Sequence, residues 1–182
     1  VRVAPRVKRS DADDAEFLAA SYGLTPDEWQ RLVLEDWLAV RPDGRWASLK
    51  CGLAVPRQNG KNALLEIREL YGMVALGEKF LHTAHEVKTA RKAFLRIASF
   101  FENPRRWPEL AELVKEIRRT NGQEAVILHN GGSVEFVARS KGSGRGFTVD
   151  VLVCDEAQEL DDDALEALMP TTSAAPLGNP QW

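Results

Sequence analysis

The hydrophobic positions near the start of the chain first take a helical spacing. Between residues 24 and 41, apolar side chains recur every three or four positions, which is typical of a helix that buries one face. Thr25, Pro26 and Glu28 supply an N-cap, a helix-starting proline and a capping-box acid, and we expect the helix to end before Pro42. Residues 1–12 have no such spacing, which predicts a loosely held arm.

The next segments alternate between strand-like and helix-like patterns. Residues 49–55 form a short apolar run that predicts a buried strand, and a loop then leads to a helix with apolar positions from Ala63 to Val74. A second strand is predicted at 79–84 and a second amphipathic helix from Val87 to Phe101. This order is βαβα.

The second half of the chain predicts a hairpin and one more buried strand. Pro108 opens a helix with apolar positions at Leu110, Leu113, Val114 and Ile117. Residues 125–138 read as two strands joined through Asn130, Gly131 and Gly132. A glycine-rich loop at 140–147 precedes the apolar run at 149–157, and a short helix from Ala164 to Leu168 ends at Pro170.

Composition narrows the class without identifying it. The 182 residues are 44% hydrophobic and 28% charged, with a formal net charge of −3, as in one ordinary globular domain. The charge argues against a protein whose whole surface binds nucleic acid. We expect no membrane span, and Cys51 and Cys154 are too few for a disulfide framework or a zinc site.

Residues 56–62 (PRQNGKN) stand between the predicted strand 49–55 and the next helix. Backbone N–H groups and the helix dipole favour a bound phosphate at such a place, and Lys61 could reach the β and γ phosphates. Compared with the usual G-x-x-x-x-G-K-[ST] pattern, Val55 replaces the first glycine and Asn62 replaces the Mg²⁺-binding hydroxyl. The segment is a degenerate phosphate loop, with an ordinary strand-to-helix turn as the alternative.

A second candidate motif follows the apolar run Val151 to Cys154, which leads straight into Asp155 and Glu156. This is a Walker B pattern. One carboxylate at the end of a central strand can hold Mg²⁺ through water, and the next can polarise the attacking water. A strand that ends in solvated acids is the alternative, but the two motifs together indicate nucleotide hydrolysis.

Three strings, VPRQNGKN, GSGRGF and VDVLVCDEAQEL, together resemble the ATPase domain of tailed-bacteriophage large terminase subunits, which are DNA-packaging motors. The resemblance spans about residues 24–176. It implies an α/β P-loop NTPase of the additional-strand, catalytic-glutamate class, with a mostly parallel central sheet flanked by helices. It also implies a lead-in at 1–23 and an ATPase domain at 24–182, truncated at its C-terminus and without the family's nuclease domain.

The resemblance also assigns roles by position. Lys61 would bind the β and γ phosphates, Asn62 would stand near Mg²⁺, Asp155 would coordinate the metal and Glu156 would activate water. Gln30 matches the family's adenine-recognition glutamine, with a solvated helix residue as the alternative. The rest of the predicted nucleotide-binding set is Arg57, which touches either the γ-phosphate or a nearby acid, together with Gln58, Asn59 and Gly60.

Two further segments match the family more loosely. Arg139 and Arg145 flank a glycine-containing loop that can extend across a subunit interface, so either can supply a guanidinium in trans, and the family's habit favours Arg139. Thr171, Thr172 and Ser173 fall about where the family's coupling motif belongs, with an ordinary turn as the alternative.

The implied activity is hydrolysis of ATP with Mg²⁺, powering translocation of double-stranded viral DNA into a procapsid. The implied partners are duplex DNA, the portal protein and the small terminase subunit. A homo-oligomeric ring is expected when assembled, with the fragment alone monomeric, in the host cytoplasm and transiently on the procapsid. A helicase-like P-loop ATPase and a nucleotide-gated assembly module without turnover are the alternatives.

Overall fold

The computed structural model describes residues 1–5, 7, 9–56, 58–139 and 146–182. They divide into two units. The first comprises Val1–Tyr71 together with Gln181, and the second comprises Gly72–Pro180 together with Trp182. The predicted phosphate loop belongs to the first unit and the Walker B pattern to the second.

The first unit is helical, with one very short pair of strands. Its helices are α1 (Ala12–Ser21), α2 (Glu28–Trp37) and α3 (Lys61–Tyr71). Its strands β1 (Arg9–Ser10) and β2 (Ala39–Val40) pair antiparallel. Helix α1 packs against both α2 and α3. The start of α3 at Lys61 places the candidate phosphate-binding lysine in the first turn of a helix, as predicted.

The N-terminal segment makes two specific contacts and then leads into a helix. The Arg2 guanidinium donates two hydrogen bonds of 2.8 Å to the Asp36 carboxylate, and β1 joins β2. The buried side of α1 consists of Ala12, Ala15 and Ala19. A helix face made of alanine packs closely, but it is only slightly more hydrophobic than the opposite face. The pattern of hydrophobic positions therefore did not predict this helix.

The predicted strand at residues 49–55 is not formed. This segment is neither helix nor strand, and its residues alternate between exposed and half-buried. Within the described residues, it belongs to neither of the two sheets. An apolar run becomes a buried strand only where a neighbour completes its ladder, since unpaired backbone groups are costly to bury.

The second unit is built around a five-stranded sheet. It begins with a π-helical turn, Gly72–Leu76. Its strands are β3 (Lys79–Ala84), β4 (Val114–Arg118), β5 (Glu124–Leu128), β6 (Ser133–Ala138) and β7 (Val151–Cys154). Their order across the sheet is β4-β5-β6-β3-β7. Its helices are α4 (Val87–Phe101), α5 (Pro108–Glu112) and α6 (Asp162–Leu168).

The sheet is mixed, which corrects the prediction of a mostly parallel one. Strand β3 is parallel to both β6 and β7, whereas the pairs β4–β5 and β5–β6 are antiparallel. The short connection through Asn130, Gly131 and Gly132 requires the antiparallel arrangement of its two strands. Val114 and Ile117, predicted on a helix, lie instead in β4 because the helix opened by Pro108 ends at Glu112.

Helices cover both faces of this sheet. On one face, Phe94 of α4 packs edge-on against Phe136 of β6, with ring centroids 5.8 Å apart. On the other face, Leu168 of α6 joins a buried cluster with Leu81 and Leu152. Alternate residues of a strand point to opposite faces, so the parallel strands β6, β3 and β7 are buried on both sides and end at a common edge.

No helix within the described ranges is long and apolar enough to cross a membrane.

Candidate nucleotide-binding site

The candidate phosphate loop of the first unit is an exposed turn directly before α3. Gln58 and Gly60 both have positive φ angles, of 64° and 77°, and α3 starts at the next residue, Lys61. Gln58, Asn59, Gly60 and Asn62 are exposed and Lys61 is half-buried. The first turn of α3 therefore follows an exposed loop, and the positive end of a helix dipole favours an anion at such a place. Arg57 lies outside the described residues.

Gln30 is tied directly to this loop. It is 3% exposed, its Nε2 donates to the Gly60 carbonyl at 2.9 Å, and its Oε1 accepts from the Asp27 N–H at 2.7 Å. A Cβ added at Gly60 would lie 2.8 Å from Gln30 Nε2. Glycine is therefore needed at position 60 both for its left-handed backbone and for the close approach of the amide. Adenine recognition by Gln30 stays a prediction.

The same contact corrects the predicted start of the first amphipathic helix. The N-cap of α2 is Asp27, not Thr25. Gln30 occupies the third helical position, where it takes the part that the sequence analysis gave to Glu28. The link between α2 and the phosphate loop is consequently made by the residue that also caps the helix.

In the second unit, the Walker B acids lie where β7 ends. Asp155 is 6% exposed, and its N–H donates to the Thr83 carbonyl of β3 at 2.9 Å. Its Oδ1 accepts from the Glu156 N–H at 2.8 Å. Glu156 is half-buried and takes a left-handed backbone, with φ of 54° and ψ of 48°. The pattern VDVLVCDEA therefore forms the predicted strand with both acids at its carboxyl end.

Arg139 follows β6 and its guanidinium reaches the same edge. Nη1 donates to the carbonyl oxygens of Asp155 at 2.7 Å and Thr83 at 3.2 Å, and Nη2 donates to the Glu156 carbonyl at 2.9 Å. The structure thus brings Arg139, Asp155 and Glu156 together within one chain. Arg145, the other candidate for a guanidinium acting in trans, lies outside the described residues.

Thr83 is a site residue that the sequence analysis missed. Its side chain is fully buried, and Oγ1 donates to the Val153 carbonyl of β7 at 2.9 Å. The available signal was a hydroxyl residue near the end of the predicted strand at 79–84.

Burial also raises the pKa of the neighbouring Cys154 thiol, against the smaller lowering effects of its hydrogen bond to Thr83 and of nearby Arg139.

The candidate coupling segment lies at the opposite end of β7. The Thr171 carbonyl accepts from the Val149 N–H at 2.9 Å, just before that strand begins. The Thr171 and Thr172 hydroxyls donate to the carbonyls of Leu168 and Met169, three residues earlier. These are the contacts of a 3₁₀ turn. The role of this turn in coupling stays a prediction.

The acid end of β7 in the second unit suits magnesium that a triphosphate also ligates, although not as a closed protein cage. Among the described residues, no group of three or more His, Cys, Asp or Glu side chains could hold a metal ion. Mg²⁺ is commonly bound through one or two carboxylates while phosphate oxygens and waters supply the other ligands. The Asp155 carboxylate fits that chemistry.

The second unit has a sheet with helices on both faces and an acid pair at the carboxyl end of a parallel strand, which is the arrangement of an α/β P-loop-type fold. Solved structures with a similar fold are phage large terminases. The HK97 bacteriophage large terminase matches 91% of this chain and 36% of its own, with a TM-score of 0.70 and 17% identity. The resemblance to phage large terminases is therefore confirmed at the level of the fold.

Two structures of the Thermus phage P74-26 large terminase ATPase domain agree with this. One matches 99% of this chain and 68% of its own, with a TM-score of 0.65 and 18% identity. The other, a mutant, matches 87% and 64%, with a TM-score of 0.63 and 19% identity. The chain thus spans about a third of the HK97 protein. No protein-family model and no curated protein matches it.

Proposed function

We propose that this chain is an ATP-hydrolysing domain that powers the movement of double-stranded viral DNA into a procapsid. The observation that carries the proposal is the fold match to the HK97 large terminase, which extends over 91% of the chain. The geometry of the phosphate loop and of the Walker B acids supports the same activity, because each holds groups suited to one part of phosphoryl transfer.

The phosphate loop binds the charged end of the nucleotide. Lys61 neutralises the β and γ phosphates, and Gln58, Asn59, Gly60 and Asn62 offer backbone or amide groups around it. Arg57 of the same loop contacts either the γ-phosphate or a nearby acid. The support for this assignment is an exposed loop with left-handed Gly60 before the first turn of α3.

The acids at the end of β7 carry out the chemistry. Bound Mg²⁺ would neutralise phosphate charge, and Asp155 would be its ligand in this unit. Asn62 stays the predicted Mg²⁺ ligand of the phosphate loop. Glu156 accepts a proton from the attacking water, as a general base. The left-handed backbone of Glu156 and the hydrogen bond from its N–H to Asp155 fix the direction in which the Glu156 side chain leaves the end of the strand.

The wider assembly follows from the same proposal. Residues 24–182 form the ATPase domain, preceded by a lead-in at 1–23. The domain works in a homo-oligomeric ring with the portal protein and the small terminase subunit, on duplex DNA in the host cytoplasm. A guanidinium acting in trans completes each active site, and Arg145 is one of its two candidates.

The test is a packaging assay with the full-length protein, procapsids bearing portal, and linear duplex DNA. We expect Mg²⁺-dependent ATP hydrolysis that DNA stimulates, and DNA that becomes resistant to nuclease as ATP is consumed. Strand separation without encapsidation would favour a helicase-like ATPase. ATP binding without turnover in the assembled complex would refute the hydrolytic function.

A further inference from the structure

Arg139 contacts backbone rather than acid side chains. Its guanidinium donates to the carbonyl oxygens of Thr83, Asp155 and Glu156 at 2.7–3.2 Å, and more weakly to the Thr83 hydroxyl at 3.4 Å. Its own N–H donates to the Ala84 carbonyl at 2.8 Å. The rigid fork of a guanidinium can bridge several carbonyls at once, which a lysine ammonium cannot do with the same geometry. Arg139 therefore joins the ends of three parallel strands.

One of the residues that Arg139 contacts, Glu156, is in an unusual conformation. Glu156 is one of two non-glycine residues with positive φ in the described part of the chain, the other being Gln58. A left-handed backbone costs free energy for an L-residue, so it persists only where surrounding contacts hold it. Besides the turn contact of its carbonyl with the Glu159 N–H at 3.0 Å, the contacts that fix Glu156 are Arg139 Nη2 on its carbonyl and Asp155 Oδ1 on its N–H. The direction in which the Glu156 carboxylate leaves the backbone depends on both.

We propose that Arg139 is a positioning residue that acts in cis: it clamps the end of β7 so that Glu156 keeps the left-handed backbone from which its carboxylate acts on water. This inference rests on the proposed function, in which Glu156 is the base. It also separates the two arginine candidates, since the guanidinium of Arg139 is directed into its own chain. The role in trans then falls to Arg145.

The first test compares steady-state ATP hydrolysis by the full-length protein in its assembled packaging complex. Arg139→Ala and Arg139→Lys should each lower kcat, by about 100-fold for alanine, because a small misplacement of a catalytic group has an effect of that order. The KM for ATP should stay within about twofold, since the phosphate loop is untouched. Arg118→Ala is the matched control, because that guanidinium binds the Glu116 carboxylate instead of backbone. A raised KM with unchanged kcat would overturn the proposal.

The second test mixes Arg139→Ala chains with Glu156→Gln chains in one ring. A guanidinium that acts in trans would restore turnover, because one mutant would donate the arginine to the glutamate of the other. A clamp that acts in cis predicts no restoration, since no chain then has both groups. Recovery of activity in the mixture would overturn the proposal and return Arg139 to the trans role.

The third test does not depend on turnover. Hydrogen exchange should speed up by at least about tenfold at the Asp155 and Glu156 amides in Arg139→Ala, because both amide hydrogen bonds depend on the clamped strand end. Exchange in β5 should not change. Unchanged exchange at Asp155 and Glu156 would refute the clamp even if the protein hydrolyses ATP. If the wild type does not hydrolyse ATP, the proposed function is refuted, and the exchange measurement still tests the clamp.

Discussion

The contact between Gly60 and Gln30 allows one structural claim to be tested with a matched pair of variants. Gly60 and Gly44 have almost the same φ angle, 77° and 82°. A Cβ at Gly44 would meet nothing within 4 Å, whereas at Gly60 it would lie 2.8 Å from Gln30 Nε2. Gly44→Ala therefore measures the backbone effect alone, and Gly60→Ala measures the same effect together with the steric contact.

Gly60→Ala and Gly44→Ala should differ in their loss of unfolding free energy by the contribution of the Gln30 contact. A left-handed alanine costs about 1–2 kcal/mol, offset by about 0.4–1 kcal/mol from the lower entropy of the unfolded chain, so Gly44→Ala should cost about 1 kcal/mol. Gln30 is buried and hydrogen-bonded at both ends of its amide, so it cannot swing aside freely. Disturbing its bond to Gly60 should add about 1–3 kcal/mol.

The assay is urea unfolding followed by tryptophan fluorescence, with ATP titration alongside. Gly60→Ala should lose about 2–4 kcal/mol of unfolding free energy, the sum of the two contributions, and should weaken ATP binding, while Gly44→Ala binds normally. Adding Gln30→Ala removes the clash, so the double variant should lose less than the sum of the single losses. Equal losses for Gly60→Ala and Gly44→Ala would refute the reasoning.

Two other residues give independent predictions. Asp150 is fully buried and accepts from the N–H groups of Lys79 at 3.0 Å and Leu177 at 2.7 Å, so Asp150→Ala should cost about 2–3 kcal/mol in urea unfolding; a loss below about 0.5 kcal/mol would contradict this. Burial raises the pKa of Cys51 from 9.0 to about 11, so alkylation at pH 8 should be about 100-fold slower in the folded than in the unfolded chain. The neutral thiol is the form that folding favours, so its contribution to stability is present below pH 9 and is lost as the pH rises through about 11. Equal alkylation rates of Cys51 in buffer and in urea would contradict the predicted difference in reactivity.

The sequence analysis was most accurate where local pattern and tertiary packing agree. The apolar run at 79–84 became β3 with the same bounds, and Lys61 opens α3 as the phosphate-loop pattern predicted. It failed where a neighbour decides the structure. Residues 49–55 have strand-like composition but no ladder among the described residues, and Val114 begins a strand because β5 lies beside it.

The candidate site shows the same division. Asp155 and Glu156 were predictable because a buried strand ending in acids has a distinctive pattern. The clamp by Arg139 was not, since it requires the parallel order of β6, β3 and β7, which brings residues distant in sequence to one edge. Gln30 was assigned by resemblance alone, and its contact with the Gly60 carbonyl depends on how α2 packs against α3.

The most direct test of the proposed activity separates binding from cleavage in the full-length protein. Nucleotide titration and phosphate release are measured side by side for the wild type, Lys61→Ala and Glu156→Gln. Lys61→Ala should bind ATP weakly, because the lysine neutralises phosphate charge in the bound state, whereas Glu156→Gln should bind ATP like the wild type without cleaving it. Turnover by Glu156→Gln equal to that of the wild type would contradict the mechanism.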